Sequence, residues 1–285
     1  MCSEEAVIFV KLTLAFHIFN KEASIDGVLR SWLDRLSGDH DVEIVCIFDD
    51  LADRSDIAAR KTLDQYDYDA RFLYTRNAWE MGANNLALAV ASGDIIVFIQ
   101  DDNWIYTPAW DNVIVQTANF PKMGAIGLLA GAVWKDTGIY TRVECDARHK
   151  GESFTTHNIP ADAYPPGIWR VDFVTRPLAV CVETARALQG IDWAYWPMDW
   201  DETDFAWRLQ LAGFVNVILP LDLLNTVGKL DTIKAARAEE NFKRGREIFM
   251  SKHASSILQH RIGGHAEQLR RIYVSHDGKL AILED

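Results

Sequence analysis

From Gly93 to Asn103 the chain reads GDIIVFIQDDN, an apolar run from Ile95 to Ile99 that ends in two carboxylates and an amide, Asp101, Asp102 and Asn103. The run is rich in β-branched residues and does not alternate with polar ones. It therefore predicts a central parallel strand covered on both faces. In open α/β sheets ligands bind beyond the carboxyl ends of such strands. Two adjacent carboxylates repel each other unless water, a cation or hydrogen-bond donors compensate. Two readings of the strand end follow: a divalent metal carrying a phosphorylated substrate, or an acidic turn leading to a helix that starts near Thr107-Pro108.

The rest of the chain narrows the choice of class. With 285 residues, 49% of them hydrophobic, it can bury a full α/β core in one domain with a C-terminal extension. A formal charge of -12 argues against a nucleic-acid partner, whose phosphates would be repelled. The four cysteines, Cys2, Cys46, Cys145 and Cys181, show neither CxxC nor His-linked spacing, so no zinc site or disulfide framework is indicated. A reducing, cytoplasmic compartment suits them. Ala6 to Phe19 is interrupted by Lys11 and His17, and no run approaches the roughly 20 apolar residues of a membrane span. A soluble protein is expected, with peripheral contact at a membrane surface left open.

Strand and helix patterns alternate through the first half. Ala6 to Leu14 reads as a strand, and Ile25, Val28, Leu29, Trp32, Leu33 and Leu36 mark one face of a helix. Val42 to Phe48 is a second buried strand, also ending in an acidic pair, Asp49-Asp50. A short helix over 56–66, a short strand over 71–74 and a helix over 82–91 follow. Repeated strand-helix-strand units predict a parallel sheet with right-handed crossovers, which brings both acidic strand ends to one edge.

Beyond Pro121 the pattern changes. Gly124 to Val133 is small and apolar, and Arg142 to Pro166 is polar and Pro-bearing, which suggests a long surface excursion. Strands are expected over 169–174 and 178–182 and a short helix over 183–189. Next comes IDWAYWPMDWDETDFAWRLQLAGF, Ile191 to Phe214, the densest chemical segment of the chain. Its second half has helical spacing with Gly213 as C-cap, so Asp201, Glu202 and Asp204 fall in the first turn. Helix-dipole capping, typically 0.3 to 1 kcal/mol, accounts for one or two of these acids but does not require three. Neither GxSxG, a P-loop, nor GxGxxG is present.

In order, the early acidic pair, RNAWEMGANNLALAVASGD, FIQDDN with TPAW, and WDETDFAWRLQLAGF resemble the inverting nucleotide-sugar glycosyltransferases of family 2, over roughly residues 6 to 250. The resemblance implies the GT-A fold, a Rossmann-like, mostly parallel central sheet flanked by helices. A catalytic domain would cover 1–228, with a nucleotide-sugar half (1–120) and an acceptor half (121–228), followed by a helical C-terminal extension (229–285).

It also implies roles. Asp49 and Asp50 stand where the family contacts the nucleoside. Asn77 and Asn85, with Gly82 and Asn84, match the segment that closes over the nucleotide, and Trp79 stands where glycine is common. Asp102 corresponds to the carboxylate that ligates Mn²⁺ or Mg²⁺ at the diphosphate, with Asp101 and Asn103 beside it on the donor. Gln100 replaces the motif's usual first Asp, and Asn225-Thr226 occupy the place of a metal-binding His. Glu202 is the counterpart of the general base, with Asp201 in reserve. Trp196 and Trp200 precede the base and offer aromatic faces to an acceptor, although Trp and Tyr also serve as core. Asp204 with Arg208, four residues on, reads as an intrahelical pair. Arg170 and Arg176 suit either phosphate or Asp172, and Lys243, Arg244 and Arg246 suit either phosphate or solvent.

The implied activity is metal-assisted transfer of a sugar from a nucleoside-diphosphate sugar to a glycan or other hydroxyl acceptor. Two alternatives stay open at this point. A nucleotidyltransferase of similar fold would want a Gly-rich basic loop after the first strand, which Leu14 to Asn20 does not offer. A non-catalytic carbohydrate-binding module would need only the Trp-rich segment.

Overall fold

The structure is a computed structural model that describes residues 10–134, 140–144, 168–219, 221–226, 232–262, 271–274 and 280–282. The first half alternates as the apolar spacing requires. Strand β1 (Lys11–Ile18) leads through α1 (Ile25–Leu33) to β2 (Asp41–Asp49), and α2 (Ser55–Leu63) leads to β3 (Asp69–Thr75). Helix α3 (Trp79–Val90) then crosses back to β4 (Ile95–Gln100), which pairs with β1 on the side away from β2. The β4-β1 boundary is thus where the direction of winding reverses, the usual place for a ligand crevice.

After β4 come a short β5 (Asn103–Ile105), α4 (Trp110–Ala118), β6 (Met123–Gly127), β7 (Ala130–Trp134) and β8 (Tyr140–Glu144). Then follow β9 (Ile168–Val171), β10 (Phe173–Val174), β11 (Leu178–Cys181) and α5 (Val182–Ala187). A 3-10 turn (Trp193–Tyr195) precedes α6 (Asp201–Leu211), β12 (Val215–Ile218) and β13 (Leu223–Asn225). Helix α7 (Thr232–Ile262) and the strands β14 (Arg271–Val274) and β15 (Leu280–Ile282) end the described chain.

The central sheet runs β15-β14-β9-β12-β6-β11-β4-β1-β2-β3. From β9 to β3 it is mostly parallel, because only β11 and β9 run against their neighbours. The C-terminal extension is not wholly helical as expected. Its last strands form a hairpin, and β14 adds antiparallel to β9. A run too short and mixed to show a strand period becomes a strand by pairing with an edge already present.

The central strands are buried on both faces, which is why their sequences lack alternation. Leu12, Leu14, Phe16 and Ile18 of β1, with Ile95, Val97 and Ile99 of β4, pack in one core beneath α1 and α4. Ala15, Ile96 and Phe98 point the other way and pack with residues of α3, α5, α6 and α7. Each such side chain contributes about 1.5–3 kcal/mol by leaving water. The expected strand over 6–14 lies partly outside the described residues, and β1 continues to Ile18 because pairing on both flanks carries His17 along. Most of the expected excursion over 142–166 likewise lies outside the described residues.

The two ends of the sheet are chemically unlike. At the amino end, buried Glu43 is satisfied by Ser92, Gly93 and Thr13, with Lys11 and Arg71 at 3.7 and 3.5 Å. It is a structural tie between strands. The carboxyl end holds Asp49, Asp50, Asp101 and Asp102 in a different arrangement.

Candidate functional site

Loops after β1, β2 and β4 meet at the carboxyl edge. Asp101 is buried and accepts from the backbone N–H of Phe19 at 2.6 Å, with Lys21 Nζ at 3.6 Å. It ties the β4 loop to the β1 loop, and burial pushes its carboxyl up to about 6 despite those donors. Asn103 closes the turn: its Oδ1 accepts from Gln100 N (3.2 Å) and its amide donates to Asp102 (3.3 Å). Asn103 is buried, and its carbonyl accepts from Trp32 Nε1, so it is a turn-former under the site.

The first acidic pair divides its labour. Asp49 is buried, and its carboxylate accepts from Thr75 Oγ1 (2.9 Å), Ala78 N (2.9 Å) and Trp79 N (2.8 Å). It satisfies the first free N–H groups of α3, which begins three residues before the sequence reading placed it. Asp50 is exposed, and its carboxylate accepts from Asn77 N at 3.1 Å. Asn77 in turn accepts from Trp79 Nε1 at 2.7 Å. Asp50 and Asn77 therefore face the opening, while Asp49 shapes the loop behind them. Asn85, expected at the donor, is committed elsewhere. Its amide donates to Ile191 O and accepts from Ile191 N, both at 2.8 Å, so it ties α3 to the Trp-rich loop.

Sequence reasoning passed over Glu80, and it sits at the centre. One of its oxygens accepts from Gln100 Nε2 and the other from Arg176 Nη1. The same guanidinium reaches Asp201 and, at 3.0 Å, Glu202. Arg176 does not pair with Asp172. An arginine in the apolar stretch Phe173–Val182 was the available signal, since a buried cation must find carboxylates. The chain Gln100–Glu80–Arg176–Asp201/Glu202 thus joins the β4 strand end to the start of α6.

One guanidinium faces three carboxylates, so they do not ionise alike. Burial opposes the charge on Asp201, but Arg176 together with hydrogen bonds from Glu202 and the backbone holds that carboxyl below its usual range. Burial and the neighbouring Asp201 push Glu202 well above its usual range, against Arg176. His17, at the end of β1, is pushed down by burial and stays neutral.

The tryptophans also divide. Trp193 and Trp196 are exposed (57% and 38%), whereas Trp200 is buried and packs on Phe242 and Phe249 of α7. Trp200 is therefore core rather than acceptor surface; its left-handed backbone turns the indole under α7. Trp193 takes its place on the surface, lying over Gly82, where an added Cβ would come within 3.1 Å of the ring. Arg244 is exposed and donates to the carbonyls of Ala194 (3.1 Å) and Trp196, so it ties α7 to this loop. Arg208 pairs with Asp204 at 2.6 Å, as the spacing predicts.

The donors for a metal are few. Among the described residues no group of three His, Cys, Asp or Glu side chains could hold an ion. Asp102 supplies a carboxylate, and Asn225, opposite Asn103 in the β5-β13 pair, has a buried Oδ1 without a partner. Hard oxygen donors of this kind fit Mn²⁺ or Mg²⁺ when phosphate oxygens and water complete the shell. Asp102 lies under the Coulomb influence of Lys21 and Glu80, and burial pushes its carboxyl up.

Backbone strain gathers here as well. Among the described residues nine non-glycine residues have positive φ, and six of them (Asn20, Asp50, Asn77, Trp79, Asp199 and Trp200) lie in or at the ends of loops bordering this edge. Such conformations concentrate at functional sites, where surrounding structure over-determines them.

Solved structures with this fold include the mannosyltransferase PcManGT from Pyrobaculum calidifontis, in complex with GDP-Man and Mn²⁺ (TM-score 0.54, 17% identity, covering 74% of this chain and 55% of that one). GalNAc-T7 with UDP, GalNAc and Mn²⁺ is similar (TM-score 0.59, 11% identity, covering 76% and 44%). So is S. aureus TarS 1-349 with UDP-GlcNAc (TM-score 0.55, 12% identity, covering 78% and 60%). At these identities the likeness is one of fold, and the chain spans about half the length of these proteins. No curated protein matches by sequence. No helix among the described residues is long and apolar enough to cross a membrane. The model of glycosyl transferase family 2 matches residues 16–165, just over half of the 285 residues, and the chain belongs to that family.

Proposed function

We propose that the chain is an inverting glycosyltransferase that moves a sugar from a nucleoside diphosphate to a hydroxyl of a glycan or other acceptor. Residues 1–120 hold the donor and 121–228 the acceptor. The observation that carries this reading is the bonded chain from Gln100 through Glu80 and Arg176 to Asp201 and Glu202. It makes one site of two corners that lie a hundred residues apart, the strand end bearing Asp102 and the acidic start of α6.

Asp50 and Asn77 accept and orient the nucleoside at the exposed loop. Asp101, through Phe19 and Lys21, fixes the turn against which the diphosphate lies. Asp102 would hold Mn²⁺ or Mg²⁺, with Asn225 as a further oxygen donor. When bound, the metal supplies positive charge to the leaving diphosphate. A carboxylate at the start of α6 takes the acceptor's proton while its oxygen attacks the anomeric carbon from the face opposite the diphosphate, which inverts the configuration. The order of motifs selects Glu202 for this, with Asp201 beside it. Trp193 and Trp196 flank the approach, where a sugar ring can lie on an aromatic face.

The ligands of the structurally similar proteins, GDP-Man, UDP and UDP-GlcNAc with Mn²⁺ in two cases, name the first compounds to try. Titration calorimetry with a panel of UDP-, GDP- and dTDP-sugars, in Mn²⁺ or EDTA, should show one of them binding more tightly with the metal. If none binds under either condition, the reading fails.

A further inference from the structure

Glu80 stands in the first turn of α3, yet it does not cap the helix. The N–H groups of Ala78 and Trp79 already donate to Asp49, and the Glu80 carboxylate reaches across the site instead. One oxygen accepts from Gln100 Nε2, at the strand end next to Asp102. The other accepts from Arg176 Nη1, whose neighbouring Nη2 bonds Asp201 and Glu202. A carboxylate can accept about four hydrogen bonds, so these two leave roughly half of its capacity unused. Arg176 is enclosed, with 3% of its side chain exposed, but Glu80 keeps 25% open.

In a displacement at the anomeric carbon, the leaving diphosphate and the attacking hydroxyl stand on opposite faces of that carbon. With the diphosphate at Asp102 and the hydroxyl at Glu202, the sugar lies between them, along the line that Glu80 bridges. The charge of Glu80 is felt at both ends, by Asp102 and by Glu202. Polar atoms are also left over on both sides of it. His17 is the register partner of Gln100 at the strand ends, and its Nε2 is enclosed and unbonded. So are Asp199 Oδ2 and Asp201 Oδ1 at the entry to α6. Buried polar groups nearly always find partners, and several orphans gathered around one site suit a polar ligand such as a sugar.

We propose that Glu80 selects the sugar: its carboxylate accepts hydrogen bonds from hydroxyls of the transferred residue, which is a neutral sugar and not a uronic acid. The inference deepens the glycosyltransferase reading above and rests on it. Around this position Glu80, Asp102, Asp199, Asp201 and Glu202 face the cations Arg176 and Lys21. A carboxylate on the sugar would add like charge to an acidic surround, whereas hydroxyl hydrogens are drawn to it.

The test is titration calorimetry in Mn²⁺ with UDP, GDP, UDP-glucose, UDP-GlcNAc and GDP-mannose, and with the uronates UDP-glucuronate and GDP-mannuronate. Each donor is compared with its own bare diphosphate, so contacts to metal and nucleoside cancel. In the wild type a uronate should bind at least about tenfold more weakly than the neutral donor of the same nucleotide. Glu80→Gln keeps the size of the side chain and should weaken the neutral donor about tenfold. It should leave the bare diphosphate within about twofold of the wild type, a value that also reports an intact fold, and should shrink the uronate's disadvantage. A wild type that holds the uronate as tightly as the neutral sugar overturns the proposal, whether or not the variant folds. So does a variant that weakens donor and bare diphosphate alike, or neither. Those results leave the glycosyltransferase reading standing, but if the wild type binds no nucleotide at all, both fall together.

Discussion

Arg176 Nη2 lies 3.0 Å from Glu202 Oε2, and the guanidinium that makes this contact is buried between Asp201 and Glu80. Removing it leaves the acidic cluster without its cation. Arg176→Met should destabilise the protein by about 3–5 kcal/mol in urea unfolding, the usual result of stranding buried charge. Arg176→Lys should recover little, because a compact ammonium lacks the planar fork whose Nη1 reaches Glu80 and whose Nη2 reaches Asp201 and Glu202. Adding Glu80→Gln to Arg176→Met should cost less than the two single changes summed, since they share one network. A loss below about 1 kcal/mol for Arg176→Met would show that the cluster does not depend on this cation.

The acidic pair after β2 should separate stability from binding. Asp49→Ala removes the acceptor for Ala78 N, Trp79 N and Thr75 Oγ1, so thermal unfolding should show a loss of about 1–3 kcal/mol. Asp50→Ala removes one bond to an exposed loop and should cost under about 0.5 kcal/mol. Calorimetry with UDP and GDP should show the reverse emphasis, with Asp50→Ala weakening binding about tenfold, or 1.4 kcal/mol. Equal effects of both variants on both measurements would refute this division.

How much of this was legible in the sequence depends on whether a feature is local. Unbroken apolar runs such as Ile95–Ile99 follow from burial on two faces, and the start of α6 follows from helical spacing and Gly213. The direction in which a polar side chain points is not local. Asp49 and Asp50 are neighbours in sequence, but only their backbone angles and the loop from residue 75 decide which is buried. Trp196 and Trp200 likewise read alike until α7 covers one of them. Glu80 and Arg176 are 96 residues apart, and no spacing rule connects them.

Asp204 gives a stability that depends on pH. Burial alone would raise its carboxyl, but His253, Arg208 and Lys252 outweigh burial and bring it to about 2. Because the folded value lies below the unfolded one, near 3.8, the contribution is complete above about 4 and is lost as the pH falls towards 2. The difference amounts to roughly 2 kcal/mol. Denaturation measured between pH 5 and pH 2 should show this slope, and Asp204→Asn should flatten it while lowering stability at pH 5. An unchanged slope in the variant would mean that other carboxylates carry the acid sensitivity.

The metal assignment can be tested without knowing the acceptor. The backbone at Asp102 is anchored independently of its side chain, because its carbonyl accepts from Thr226 N at 2.9 Å. Truncating the carboxylate should therefore leave the turn in place, so that lost ion binding reports on the ligand itself. With UDP or GDP present, Asp102→Ala should weaken Mn²⁺ binding, followed by electron paramagnetic resonance, by at least about tenfold. Asn225→Ala should weaken it by a smaller factor, since a neutral amide oxygen adds less than a carboxylate and water can replace it. The Asp102→Ala protein should unfold at nearly the wild-type temperature in EDTA, which separates a missing ligand from a damaged fold. If it binds Mn²⁺ as tightly as the wild type, Asp102 is not the ligand, and the ion, if one is used, is held elsewhere.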